Sequence, residues 1–358
     1  MQRICPRCSK SLRPLFNGRT TLDHCEACRG NFLEVGDSKE TFGPWTEPAH
    51  WLSTACAREK PSAEAGALPC PAGHGDMQAY DVDWDEHQVE VDVCSKCRGM
   101  WLDAAEGGRL ADLMSSFHDA RSNAPSPGMK QYFFQLFTGF PIEVFHPVRR
   151  KPVAVHGLIG LLFVIFALQS VRISSGVSVE GYLARWALVP ATFWQGGALW
   201  TLVTHAFLHL GALHLLGNLY SLKIFGDNVE ERLGSARFLG LYAVALVCGG
   251  LAHLCAESGS VTPMLGASGA ISGIMAAYLW YFPKIRLWLV IFFVRFQIPA
   301  SVYFAIWTAI QIGMATLGVT GVAWYAHLGG FAGGWIFLWV RHRLLGRYPV
   351  RFPGRLNP

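Results

Sequence analysis

Two groups of residues in this sequence have the types and the spacing to do chemistry. The first stands near the N-terminus and is built of thiols. "CPRC" supplies Cys5 and Cys8, and "CEAC" supplies Cys25 and Cys28. The pattern C-x2-C-x16-C-x2-C points two pairs of thiolates at one tetrahedral metal, the ligand set of a structural zinc site. Downstream, "CPAGH" brings Cys70 and His74, and "CSKC" brings Cys94 and Cys97. An imidazole can replace a thiolate on zinc, so this set reads as three sulfurs and one nitrogen. His74 stands where the first set has Cys8, although its gap from Cys70 is one residue longer. The alternative is a loop histidine at 74, with His87 or a water as fourth ligand.

The second group lies in an apolar context. "HLGALHLLGN" gives His209, His214 and Asn218, "MLGASGAISG" gives Ser268, and "AHLGGFAGG" gives His327. Polar side chains at membrane depth are expensive and point to function by default. Each also has a plainer reading. A membrane serine usually bonds its own backbone, a histidine can be buried packing, and glycines let helices approach closely. Together they meet the needs of acyl transfer. A hydroxyl needs a base to become a nucleophile, and a tetrahedral intermediate needs donors for its oxyanion. His214 and Asn218, four apart, share a helix face. After Glu257 the chain holds no Asp or Glu. A hydrolase here would therefore be a Ser–His dyad, its ring held by packing in place of a carboxylate.

The elements that must position these groups differ between the two halves of the chain. Of 358 residues, 51% are hydrophobic and 15% charged, with a mean hydropathy of +0.27. The usual charged share is about a quarter, so the profile is that of a membrane protein. Residues 1–110 hold 12 Lys/Arg against 17 Asp/Glu, and residues 111–358 hold 18 against 8. The acidic N-terminal half argues against nucleic acid as a partner. Six apolar stretches of about spanning length run over about 153–172, 198–223, 236–256, 267–283, 297–315 and 323–341. Arg149, Arg150 and Lys151 precede the first. Lys223, Arg232 and Arg237 follow the second, and Lys284, Arg286 and Arg295 the fourth. Arg341, Arg343, Arg347, Arg351 and Arg355 follow the sixth, while the other loops hold only Arg172 and Arg185. By the positive-inside rule both termini are cytosolic, with a bacterial inner (plasma) membrane as the expected location. The first thirty residues carry no apolar secretory segment, which agrees with reduced thiols bound to metal. Ser268 and His327 then lie near the outward ends of the fourth and sixth spans. Between the halves, a turn-rich hinge at 122–128 precedes "MKQYFFQLFTGFPIEVFHPVRRK", a segment expected at the membrane surface.

The thiol module repeats. "LDHCEACRGNFLEVGD" (22–37) aligns without gaps on "VDVCSKCRGMWLDAAE" (91–106). Both repeats resemble the zinc ribbon of the transcription factor IIB type. The resemblance implies short β-hairpins around one zinc each, with a helix following at roughly 101–116, and about two structural zinc ions in all. Small ribbons have little core, so metal supplies much of their folding energy. A cytosolic protein partner or a regulatory role is expected, with a purely structural role as the alternative. Cys56, between the ribbons, reads as a linker thiol.

Residues of about 150–345 resemble the rhomboid intramembrane serine proteases. The marks are G-x-S-G (Gly266, Ser268, Gly269), H-x3-N (His214, Asn218) and H-x2-G-x3-G (His327, Gly330, Gly334). "VEERLGSARFLGLY", with Glu230, Gly234 and Arg237, and "ARW", with Arg185 and Trp186, also match. The resemblance implies Ser268 as nucleophile and His327 as general base, then acid. It implies the Ser268 N–H, His214 and Asn218 as oxyanion donors, with His209 in support. Gly330 and Gly334 would press the sixth span against the fourth. One position departs from the family pattern: Ser272 stands where relatives often carry an aromatic stacked on the catalytic histidine.

The expected fold is a multi-pass α-helical membrane protein, a six-helix rhomboid fold, behind an N-terminal cytosolic domain of two small β zinc ribbons. Its expected parts are a first ribbon (1–40), a linker (41–68), a second ribbon with its helix (69–116), and a hinge and membrane-surface segment (117–150). The rhomboid domain (151–345) and a basic tail (346–358) follow. The expected activity is serine endopeptidase cleavage within or beside transmembrane segments of membrane proteins, needing no cofactor for catalysis. The competing expectations are a catalytically silent, zinc-regulated protein that binds membrane helices, and a zinc-sensing receptor.

Overall fold

The computed structural model describes residues 3–18, 20–42, 57–59, 67–84, 87–122, 128–138, 140–143, 151–196, 198–283, 285–291 and 293–345. Cys56, most of the linker, residues 123–127 of the hinge, Arg149, Arg150, Lys284 and the tail from 346 lie outside the described residues. The chain divides into two compact units between Ser126 and Pro127.

In the first unit the two ribbons are not separate. Seven antiparallel strands form one sheet in the order β1-β2-β3-β7-β6-β5-β4. They are β1 (Arg13–Phe16), β2 (Thr21–His24), β3 (Asn31–Leu33), β4 (Ala57–Glu59), β5 (Gln78–Trp84), β6 (His87–Val93) and β7 (Met100–Leu102). The join is β3 against β7, which pairs Phe32 with Trp101. These are the aromatics that follow the Arg-Gly of each repeat. Each lies over the other repeat's glycine: a Cβ on Gly30 would overlap the Trp101 ring, and one on Gly99 would overlap the Phe32 ring. Glycine is therefore required by close approach. Phe32 and Trp101 are both fully buried, at the centre of a core shared with the cysteines. The expected linker also contributes strand β4, paired with β5.

The helix after the second ribbon runs Glu106–Ser122, later than the expected 101–116 because Met100–Leu102 extends as β7. Its start is closed by the Asp103 N–H donating to the Glu106 carboxylate at 2.6 Å, a capping arrangement. Leu110, Leu113 and Met114, at helical spacing, are its buried face.

Among the described residues, the second unit holds six long helices: α1 (Val153–Ser174), α2 (Ala212–Leu233), α3 (Ser235–Ala256), α4 (Ser268–Tyr281), α5 (Ala300–Thr316) and α6 (Trp324–Leu345). Among the described residues, α1 and α3 are each long and apolar enough to cross a membrane. The second expected stretch is broken. A short helical segment, Thr201–Phe207, meets α2 at 94°. The backbone turns extended at Leu208 and re-enters a helix only after Gly211. The fifth stretch also starts later than expected, because 286–299 folds as a hairpin of β9 (Arg286–Ile291) and β10 (Val294–Pro299). Strand β8 (Ile142–Glu143) adds to its edge. The expected surface segment is thus partly built into this unit, as a helix Met129–Thr138 followed by β8.

Buried polar contacts fix the helix ends. The Glu230 carboxylate, in the last turn of α2, accepts the N–H groups of Ala154 and Val155 at 2.8 Å each and the Ser235 hydroxyl at 2.6 Å. One side chain thereby satisfies the start of α1 and ties it to α3. The Glu143 carboxylate accepts Asn228 Nδ2 from α2 at 3.0 Å and the Tyr278 hydroxyl from α4.

Candidate active site and metal clusters

Helix α4 begins at Ser268 itself, so the Ser268 N–H has no acceptor within its own helix. The turn before it needs Gly266. That residue has φ +120°, and a Cβ there would lie 2.8 Å from the His214 ring and 3.9 Å from Asn218 Nδ2. Its N–H donates to the His205 carbonyl at 2.9 Å, and Leu188 and Met264 exchange backbone hydrogen bonds at 2.8 and 3.0 Å. These bonds hold the loop entering α4. His214 and Asn218 thus face the backbone two residues before Ser268. Asn218 Nδ2 donates to the His214 carbonyl at 3.1 Å. His209 is fully buried and joins the set through an edge-on contact with His214, ring centroids 5.0 Å apart.

His327 stands in the first turn of α6, and its Nε2 lies 2.8 Å from Ser268 Oγ. Helices α4 and α6 run the same way, and glycines bring them together. A Cβ on Gly330 would overlap the Gly269 carbonyl, and one on Gly334 the Gly273 carbonyl. The next face of α6 uses Gly329 and Gly333 against Ala252 and Cys248 of α3. The sequence alone does not reveal that second pair, because the glycine-rich run reads as a single contact with the fourth span.

Ser272 is buried and its hydroxyl donates to the Ser268 carbonyl at 2.7 Å, the backbone bond usual for a helix serine. The surroundings of His327 come instead from elsewhere. Trp307 of α5 and Trp324 of α6 have ring centroids 6.2 and 6.3 Å from the imidazole. Gln311 Oε1 lies 2.7 Å from His327 Nδ1. Residue spacing alone does not single out Gln311; its signal in the sequence is an amide inside the apolar run "FAIWTAIQIGM".

In the first unit, Cys5, Cys8, Cys25 and Cys28 converge, as do Cys70, His74, Cys94 and Cys97, with ligand atoms all within 4.8 Å of one another in each set. Sulfurs bound to one tetrahedral zinc sit about 3.7 Å apart. The Cys5–Cys28 and Cys8–Cys25 pairs are 3.4 Å apart, and Cys70 lies 3.7 Å from both Cys97 Sγ and His74 Nδ1. Every knuckle has a left-handed residue just after its second ligand: Ser9, Arg29, Gly75 and Arg98. Gly75 places His74 in register with Cys8, and the left-handed Gly73 absorbs the extra residue. His87 instead opens β6 opposite Trp84.

The electrostatics fit a dication. Burial pushes the Cys5 and Cys97 thiols up to about 12. Burial also works against Cys25, but the Cys28 backbone N–H and the Cys8 side chain outweigh it and bring the thiol down to about 6. Four neighbouring thiols cannot all ionise without a compensating positive charge. Zinc would supply it, held by the eight residues above, in a structural role.

Comparison with known proteins defines the class. Residues 196–344 match the family model described as Rhomboid domain, and residues 4–39 and 69–112 match the one described as Transcription factor zinc-finger, of the TFIIB zinc-ribbon type. The second unit carries a rhomboid domain, which goes with a multi-pass helical membrane fold, and the first carries the two zinc-ribbon matches. Among curated relatives, RHOMBOID-like protein 12, mitochondrial, of Arabidopsis thaliana is 28% identical over 264 residues, 66% of this chain and 74% of that protein. Rhomboid protein 1, mitochondrial, of Saccharomyces cerevisiae is 28% identical over 214 residues, 58% of each chain. Rhomboid protease GluP of Bacillus subtilis is 33% identical over 130 residues, 36% of this chain and 25% of that protein. The relatives named mitochondrial lend no support to a bacterial inner membrane in particular.

Proposed function

We propose that the second unit is an intramembrane serine endopeptidase. The observation that carries this reading is the 2.8 Å contact between His327 Nε2 and Ser268 Oγ. Ser268 Oγ attacks the scissile carbonyl while its proton passes to His327 Nε2. The oxyanion is met by the Ser268 N–H, His214 and Asn218. His327 then gives the proton to the leaving amine, and water repeats the sequence to release the acyl group. His209 backs His214.

The six long helices are read as the six spans, α2 with its bent lead-in counted as one. Helix α4 has 14 residues and is about 21 Å long, shorter than a hydrocarbon core of about 30 Å. Its first residue therefore falls below the membrane surface, which fits substrates cut within or beside a transmembrane helix. The Lys/Arg bias of the alternate loops supports cytosolic termini. The ribbons serve protein interaction or regulation.

The test is cleavage of a single-span reporter by the full chain in liposomes. Ser268→Ala and His327→Ala should each abolish it, and undiminished cleavage by either would end the dyad reading.

A further inference from the structure

The structure assigns a third member to the Ser268–His327 pair. We propose that Gln311 is a positioning residue that holds His327 with its proton on Nδ1 and its Nε2 lone pair toward Ser268. This deepens the protease reading and rests on it.

Gln311 lies on α5, 5% exposed, with its amide oxygen 2.7 Å from His327 Nδ1. On the opposite side of the ring, Nε2 lies 2.8 Å from Ser268 Oγ. An amide oxygen only accepts, so the contact places the proton on Nδ1. Nε2 is then the acceptor that Ser268 Oγ–H requires. The polarity runs one way, from the Ser268 hydroxyl through the ring to the Gln311 carbonyl. The reversed amide would put an N–H donor on Nδ1, force the proton to Nε2, and leave no base facing Ser268.

Gln311 also explains how the ring is held without the aromatic absent at Ser272. Trp307 lies one turn before Gln311 on α5, its ring inclined 32° to the imidazole at 6.2 Å. One face of α5 thus supplies both a wall and a hydrogen bond. The chemistry of the choice follows from depth. A carboxylate would also orient the ring, but an ionised carboxylate is costly inside a bilayer. A neutral amide fixes the tautomer without burying a charge. When Ser268 Oγ bonds to the carbonyl carbon and its proton moves to Nε2, the carbonyl dipole of Gln311 faces the imidazolium. It offsets only part of the new positive charge, where a carboxylate would offset more.

The experiment uses the full chain in liposomes and a single-span reporter. Gln311→Met, close in shape, should lower kcat by about 10- to 100-fold with KM unchanged. Gln311→Glu should keep activity well above Gln311→Met. Protonated or ionised, the new side chain keeps an acceptor for the Nδ1 proton, and where it ionises it stabilises the imidazolium and moves the acid limb to higher pH. A Gln311→Met variant with wild-type kcat and pH profile overturns the proposal. So does a Gln311→Glu variant as slow as Gln311→Met with an unshifted profile, which is what a packing role alone gives. Should the variants not fold, 15N NMR of the histidines in the unmodified protein reads the tautomer directly. Protonated Nδ1 and bare Nε2 on His327 are expected, and the reverse overturns the proposal. Ser268→Ala in the same assay separates the two readings. Cleavage by it removes the protease reading, whereas loss in Ser268→Ala with full activity in Gln311→Met removes only the role of Gln311.

Discussion

Gly330 lies against the backbone carbonyl of Gly269, with no room for a methyl group between them. This contact sets the distance between the helices that carry Ser268 and His327. Gly330→Ala should therefore cost about 1–3 kcal/mol of stability through overpacking. Displacing His327 by about an ångström should slow cleavage by about 100-fold. Gly313→Ala on α5, where an added Cβ meets nothing within 4 Å, is the control. It should cleave normally and melt no lower. Thermal unfolding in detergent and reporter cleavage check both.

Zinc analysis of the full chain should give about two metals, one for each four-ligand set. Cys25→Ser should remove one and weaken the other, because Phe32, carried by the first ribbon, covers Gly99 of the second. Retention of the second zinc at wild-type affinity, measured by chelator competition, would show the two ribbons to be independent.

Glu230→Ala should destabilise by roughly 3 kcal/mol or more, since it leaves the N–H groups of Ala154 and Val155 and the Ser235 hydroxyl without their acceptor. Glu230→Gln keeps one acceptor oxygen and should cost less. Cleavage at low temperature should survive in Glu230→Gln, with loss appearing as the melting point is approached.

Ser272→Ala should change stability by about 1 kcal/mol or less and leave cleavage within a few-fold, because the hydroxyl bonds only the backbone of its own helix. Ser272→Tyr should fail, since the position is 1% exposed and an aromatic there overpacks α4. Reporter cleavage and melting distinguish the two.

Much of this was legible because it is local. The cysteine spacings are fixed by the geometry of a knuckle, and Ser268 and His327 are polar residues in apolar runs. The β9–β10 hairpin was not legible. "RLWLVIFFVRFQIP" is a short apolar run, and such runs suit a strand or a helix until tertiary pairing decides. The joining of Phe32 and Trp101 was hidden for a related reason: the repeat showed that both aromatics recur, but not that each belongs to the other's glycine. Gln311 reads as an isolated amide until α5 is folded beside α6.

The crossed aromatics have a consequence for assembly. Two separate ribbons sharing this contact would have to find each other in solution, and dilution would part them. Within one chain the partner is always present at the effective concentration that the connecting segment allows. The pairing is then insensitive to how much protein is made. It also frees the halves from being identical, and a histidine at 74 opposite a cysteine at 8 is the kind of asymmetry that a true two-fold dimer could not hold.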